Sequence, residues 1–149
     1  MSKITATIAA SALVVLGAVT LTGCSAVNAL VYNFTDATYA DGSALADDLG
    51  TEIAWSPGDA QDIHVRRSTT EDAPDVVVMM ESSATLDPEL CREVERQSAP
   101  TWALDGAPDV YEFDTVTTCG DWSIVPTSDG WLGWTPNSVG ERESAAQEG

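Results

Sequence analysis

Positive charge is scarce in this chain. The 149 residues include 6 Lys and Arg against 24 Asp and Glu, which gives a formal net charge of −18 at pH 7. Nucleic-acid binding needs a basic stripe along the phosphates, and electrostatic docking on anionic lipid headgroups needs a polybasic segment. The composition therefore excludes an ordinary nucleic-acid-binding protein. We interpret the acidic surplus as a solvated surface that keeps the domain soluble.

The usual signatures of metal binding and nucleophilic catalysis are also missing. His64 is the single histidine, and the chain has no Cys-x-x-Cys pair, no Asp-x-Asp-x-Asp-Gly loop and no Gly-x-Ser-x-Gly turn. His64 falls on the outward face of a predicted strand, beside Arg66, which disfavours a poised neutral base. We predict no catalytic residue, no metal and no cofactor. Paired carboxylates of a small hydrolase remain an alternative, although the sequence nominates no pair.

The N-terminus carries an export signal. Lys3 precedes a charge-free stretch, residues 4–22, which has an apolar centre and ends in small residues. The tetrad Leu21-Thr22-Gly23-Cys24 resembles the lipobox of bacterial lipoproteins. That resemblance implies a signal peptide over residues 1–23, a diacylglycerol on Cys24 and a location on the extracytoplasmic face of the cell membrane. A transmembrane anchor and a plain secretory signal are the alternatives, since the charge-free run is just long enough to span a bilayer.

Three cysteines fit this compartment. If Cys24 is lipidated, Cys91 and Cys119 remain as an even pair, and pairing is the default in an oxidising environment. We predict a Cys91–Cys119 disulfide, worth roughly 3.6 kcal/mol in the chain-entropy model. Zinc held by the two thiols and His64 is the alternative, but it lacks a fourth ligand.

The remaining chain predicts one small domain. We expect Cys24 and a tether over residues 24–52, a globular α+β domain over residues 53–137 and a disordered tail over residues 138–149. Within the tether, Ser43 could cap a short helix that Gly50 ends. Apolar alternation and turn residues predict a small antiparallel sheet of four or five strands, with segments at 63–67, 75–80, 110–119 and 122–134.

One main helix is predicted after residue 87. Asp87 is a good N-cap, Pro88 suits the first helical position, and Pro100 ends the segment. Leu90, Cys91 and Val94 would share the face that packs on the sheet. The predicted disulfide would then join this helix to the strand that contains Cys119.

The C-terminal hairpin carries the candidate contact residues. Asp129-Gly130 predicts a two-residue turn that pairs Ser128 with Trp131 and Val125 with Trp134. The strand period of two then divides the apolar side chains between two faces. One face would carry Trp122, Ile124 and Trp131, and the other would carry Val125, Leu132 and Trp134.

Trp131 and Trp134 are the candidate partner-binding residues. An exposed tryptophan beside carboxylates such as Asp129 or Asp121 could stack on a sugar ring or anchor a protein partner. The alternative is that both tryptophans belong to the core.

A second resemblance concerns the start of the domain. Residues 55–65, Trp-Ser-Pro-Gly-Asp-Ala-Gln-Asp-Ile-His-Val, followed by the later cysteine pair, are similar to small envelope-anchored actinobacterial proteins of uncharacterised function. This resemblance implies location and domain size and no active residue. We therefore expect a lipid-anchored binding or accessory protein whose partner is an envelope protein or a cell-wall glycan. A small envelope hydrolase and a structural envelope component are the alternatives.

Overall fold

The computed structural model describes residues 31–147, which form one antiparallel sheet of seven strands with two short helices. The strands lie in the order β1-β2-β3-β7-β6-β5-β4. Their bounds are β1 Phe34–Asp41, β2 Gln61–Ser68, β3 Val76–Glu81, β4 Arg92–Glu95, β5 Thr115–Cys119, β6 Trp122–Pro126 and β7 Gly130–Thr135. The helices are α1, Gly42–Leu49, and α2, Val139–Gln147, and one turn of 3₁₀-helix covers Val110–Glu112.

The described part of the chain contains no helix with the length and apolar character needed to cross a bilayer. The predicted signal peptide, residues 1–23, and the predicted lipidation site, Cys24, lie outside the described residues.

The predicted fold class, α+β with four or five strands and one main helix, is wrong. Asp87 does cap a turn, since its carboxylate accepts from the Glu89 N–H at 2.8 Å and its carbonyl accepts from the Leu90 and Cys91 N–H groups. After that single turn, the chain becomes extended as β4 and pairs with β5. Pairing brings Val94 opposite Val116, both buried, while the backbone of β4 is satisfied by its neighbour. This tertiary gain outweighs the helix propensity of the segment.

The stretch expected to be a tether contributes to the sheet. β1 pairs with β2 over its whole length as an edge strand. α1 follows at once and is capped by Asp41, whose Oδ1 accepts from the Ala44 N–H at 2.9 Å, rather than by Ser43. Gly50, with φ of 71°, ends the helix as the sequence predicts, and Leu45 is buried beneath it.

The sheet is covered on both faces by separate apolar clusters. We call them the Trp131 face and the Trp134 face, after the tryptophan of β7 that belongs to each. The Trp131 face has a core of Leu45, Trp55, Ile63, Val65, Val78, Met80, Cys91, Cys119 and Ile124, with Trp122 and Trp131 against it. The Trp134 face has a core of Val77, Val94, Leu104, Val110, Val116, Val125, Leu132 and Trp134. The predicted division of the hairpin between two faces is therefore confirmed.

The register of the β6–β7 hairpin differs from the prediction. Pro126 pairs with Trp131, and Ser123 pairs with Trp134. The partner of each tryptophan moves by two positions, so every side chain keeps its face. Gly130 belongs to β7 rather than to the turn, and a Cβ there would overlap the carbonyl oxygen of Met80. The glycine is required by this close backbone approach.

The Cys91–Cys119 disulfide is confirmed. It joins the end of β5 to the residue that directly precedes β4, rather than a helix to a strand, because the two cysteines lie one position beyond the Arg92–Thr118 pair of the β4–β5 ladder. Both half-cystines are buried on the Trp131 face.

Residues 138–147, expected in a disordered tail, form α2 and its cap. The Ser138 hydroxyl accepts from the Glu141 N–H, and the Glu141 carboxylate accepts from the Ser138 N–H, both at 3.0 Å. This reciprocal pair is a capping box, and its Ser-x-x-Glu spacing is visible in the sequence. Glu141 is fully buried, so α2 docks on the domain through a carboxylate rather than through an apolar stripe.

Candidate functional site

An open polar cleft lies at the edge where β3 ends and β7 begins. Sheet pairing assembles it, since Glu81 is opposite Gly130 on one side and Gln61 on the other. The loops after β3 and β6 and the segment before β2 complete the walls. The cleft has a volume of about 570 Å³, and we call it the Trp131 cleft. Its functional groups come from Asp59, Glu81, Ser82, Ser83, Ser128, Asp129 and Trp131.

Asp59 is held by two serines from the loop that follows β3. Its Oδ1 accepts from the Ser82 hydroxyl, and its Oδ2 accepts from the hydroxyl and the N–H of Ser83 at 2.9 and 3.0 Å. The hydrogen bonds from Ser82 and then Ser83 favour the charged carboxylate, which lowers the pKa of Asp59 below its ordinary value. Asp59 is therefore a fixed anionic acceptor at neutral pH.

The lowered pKa of Asp59 argues against this residue as the general acid of a hydrolase. A glycoside hydrolase needs a carboxylic acid with a raised pKa to protonate the leaving oxygen. Asp59 has a lowered pKa and both oxygens engaged, so it is unsuited to that role. Glu81 and Asp129 share the cleft and remain available as acceptors for a ligand.

Trp131 is the aromatic group of the cleft. Its indole Nε1 donates to the carbonyl of Ala84 at 3.0 Å, and part of the ring packs against the Trp131 face. The rest of the ring is exposed along the cleft wall. One bond and one packed side hold the ring in place before any ligand arrives, which reduces the entropy cost of binding.

The structure separates the two tryptophans that the sequence pairs as candidates. Trp134 is 1% exposed and lies on the other face of the sheet, where its Nε1 donates to the Ser98 hydroxyl at 2.9 Å. Of the two, only Trp131 lines a cleft. Asp129 lies beside it there, as the sequence analysis proposed, whereas Asp121 lines a different depression near α2.

The single histidine and the two paired cysteines do not line the Trp131 cleft. His64 projects from β2 with its Nε2 3.5 Å from Asp62, and its side chain is 44% exposed. Cys91 and Cys119 are bonded to each other, so neither thiol is available to zinc. Within residues 31–147, no three His, Cys, Asp or Glu side chains cluster as metal ligands would.

Sequence reasoning missed the Asp59, Ser82 and Ser83 cluster. These residues lie 23 and 24 positions apart, and they meet only because β2 pairs with β3. The Asp-Ala and Ser-Ser dipeptides carry no motif that would have indicated the contact.

No family model, no curated protein and no solved structure matches this chain. The geometry of the Trp131 cleft and the N-terminal sequence are therefore the features that bear on function.

Proposed function

We propose that this protein is a lipid-anchored, extracytoplasmic binding protein of the bacterial cell envelope, and that the Trp131 cleft binds a cell-wall glycan. The anchor is inferred from the lipobox resemblance at Cys24. The Cys91–Cys119 disulfide supports this compartment, because disulfides persist where the environment is oxidising.

One observation carries the choice of ligand: a fixed, partly exposed indole forms a wall of a cleft whose other groups are hydroxyls and carboxylates. A sugar ring has one face of C–H groups that stacks on an aromatic ring and a rim of hydroxyls that donate to carboxylates. The cleft offers both kinds of contact. Its open, polar walls fit a segment of an extended polymer better than a small apolar ligand.

The binding experiment uses full-length protein extracted from membranes and purified cell wall as the probe. We expect Trp131→Ala to lower the retention on cell wall at least tenfold, because it removes the stacking surface. Tyr111→Ala is the matched control, since it removes an exposed aromatic ring that does not line the cleft. Unfolding curves on the same samples establish that both variants are folded.

Two results would reject glycan binding. One is the absence of wild-type retention on cell wall, and the other is equal retention of wild type and Trp131→Ala. If cross-linking in cells instead captures a single envelope protein, we would interpret this protein as an accessory subunit.

The anchor is tested separately by metabolic labelling with an alkyne fatty acid. We expect labelled wild-type protein, with an intact mass that includes a diacylglycerol, and no label on Cys24→Ala. Membrane-bound wild-type protein without label would favour the transmembrane alternative, and release into the medium would favour plain secretion.

A further inference from the structure

A chain of aromatic rings crosses the surface at the start of β1. Tyr32 stacks on Phe34 with ring centroids 6.0 Å apart, and Phe34 meets Trp102 at 5.6 Å. Trp102 in turn lines an apolar groove of about 390 Å³, which Tyr111 also lines. We call Tyr32, Phe34, Trp102 and Tyr111 the aromatic patch. The groove floor includes Val77 and Leu132, which places the patch on the Trp134 face.

Exposed apolar area is concentrated at this patch. Five large hydrophobic residues are exposed within the described part of the chain. Two of them, Tyr32 at 59% and Tyr111 at 71%, belong to the patch, and a third, Val31 at 62%, directly precedes Tyr32 in the chain. Phe34 is buried and Trp102 is half-buried, so these two rings support the exposed Tyr32 and Tyr111. Exposed apolar residues that are grouped in this way mark an interaction site more often than scattered single residues do.

Two arginine side chains lie against rings of the patch. The Arg66 guanidinium lies 4.2 Å from the centre of the Phe34 ring, donates to the Ala103 carbonyl at 2.7 Å and pairs with Asp36. Arg66 thus fastens the loop that carries Trp102 to the sheet, and its charge is compensated. Arg96 lies over the Tyr111 ring at 5.1 Å. A partner that binds here meets aromatic rings and two arginines rather than a basic cluster.

The short chain between Cys24 and β1 limits how far the aromatic patch can lie from an anchoring membrane. Cys24 lies ten residues before Phe34, and ten residues reach at most about 36 Å when fully extended. A membrane anchor at or before Cys24 therefore keeps the start of β1, and the aromatic patch around it, close to the bilayer. Tryptophan and tyrosine are the side chains enriched at the membrane–water interface, since they combine an apolar ring with a polar group.

We propose that the aromatic patch lies in the headgroup region of the membrane that anchors the chain and orients the domain there. This inference rests on the membrane anchor of the proposed function but not on glycan binding. Trp131 packs on the opposite face of the sheet from the groove, so this orientation leaves its cleft accessible to the cell wall.

The test is quenching of tryptophan fluorescence by phosphatidylcholine vesicles with brominated acyl chains, into which the full-length protein is reconstituted. Quenching by bromine requires near contact, so it reports the rings that reach the lipid. We expect Trp102→Phe to remove most of the quenching, whereas the matched variant Trp131→Phe retains it. Raising the salt concentration should leave the quenching unchanged, because attachment through aromatic rings is not screened.

A second variant protects the test against a folding defect at Trp102. Tyr32→Ser combined with Tyr111→Ser changes two exposed rings and leaves Trp102 as the reporter. We expect this double variant to reduce the quenching at least twofold while its unfolding curve stays close to that of wild type.

Three results would overturn the inference: equal quenching in wild type and Trp102→Phe, loss of quenching in Trp131→Phe, or dimerisation through the patch without quenching. The first and third results leave the glycan proposal intact, because retention on cell wall is measured independently. The second would place Trp131 at the lipid and count against both proposals. Recovery of the chain in the medium rather than in membranes would reject this inference together with the anchor.

Discussion

Trp131 and Trp134 lie three residues apart on β7, and their surroundings differ completely. The odd spacing turns them to opposite faces of the sheet. Trp134 is buried in the cluster against which Ala145 of α2 and Ala99 after β4 pack, and its indole N–H donates to the Ser98 hydroxyl. Trp131 is enclosed on one side only and forms a wall of the polar cleft. Two tryptophans of one strand thus belong to the core and to the candidate site. The position of a residue along the strand determines its sheet face, and the segments that pack on that face determine how far its side chain is buried.

The two faces are also secured by different chemistry. On the Trp131 face, the Cys91–Cys119 disulfide joins β5 to the segment before β4. On the Trp134 face, Glu141 bridges α2 to the segment that follows β4 and to β6. Its Oε1 accepts from the N–H groups of Gln97 and Ser98, and its Oε2 accepts from the hydroxyls of Ser98 and Ser123. The stability of the Trp131 face therefore depends on the redox state of the disulfide, and that of the Trp134 face depends on the protonation of Glu141.

The largest expected effect comes from removing the buried tryptophan. Trp134→Ala should lower the free energy of unfolding by about 3–5 kcal/mol, since it leaves a large cavity and removes the hydrogen bond that the Ser98 hydroxyl accepts. Urea unfolding followed by circular dichroism measures the change. Trp131→Ala is the comparison and should cost less than half as much, because part of that ring is already exposed. Equal losses would show that the two residues are packed alike.

Reducing the disulfide should have the next largest effect. Cys91→Ala combined with Cys119→Ala should cost roughly 3.6 kcal/mol, the loop-closure term for a crosslink of this separation. Addition of a reductant should destabilise wild type and leave the double variant unchanged. If the reductant destabilises both proteins equally, the disulfide is not the responsible group.

Glu141→Gln should lower the free energy of unfolding by a smaller amount, about 2–3 kcal/mol near neutral pH. The amide nitrogen cannot accept the hydrogen bonds that a carboxylate oxygen accepts, so it would face N–H and O–H donors without bonding to them. Burial alone would raise the pKa of Glu141, but hydrogen bonds from Ser98, Gln97, Ser138 and Ser123 lower it below its ordinary value of 4.5. A group whose pKa is lower in the folded state stabilises the fold above the unfolded pKa. That contribution is lost as the pH falls through the folded value.

The pH dependence makes this prediction specific. Wild type should lose stability as the pH falls below about 4.5, and Glu141→Gln should lose less over the same range. Glu143→Gln is the matched control, since Glu143 is exposed on the same helix. Parallel curves for wild type and Glu141→Gln would mean that other carboxylates account for acid unfolding.

Local patterns predicted several elements correctly. The alternation around Ile63 and the doubly apolar run at Val77 and Val78 correspond to β2 and to a central β3. Cysteine counting predicted the disulfide. The wrong helix after Asp87 arose because a cap and a proline specify only the first turn, and the following residues could be buried equally well as a strand.

Two other differences have distinct causes. β1 was not predicted because Thr35, Asp36 and Thr38 give it a polar character, and its pairing with β2 comes from backbone bonds rather than from an apolar pattern. α2 was not predicted because its docking group is a carboxylate. The buried donors that satisfy Glu141 come from the chain about 40 positions earlier and from β6.

The sequence by itself determined the acidic composition, the disulfide and the face on which each hairpin side chain lies. These properties depend on composition, spacing or strand parity, which are local. Only the tertiary structure decided that Trp134 is buried, that Trp131 shares a cleft with Asp59 and its serines, and that aromatic rings gather at the start of β1. Those outcomes depend on segments that lie far apart in the chain, and no local pattern records which of them will meet.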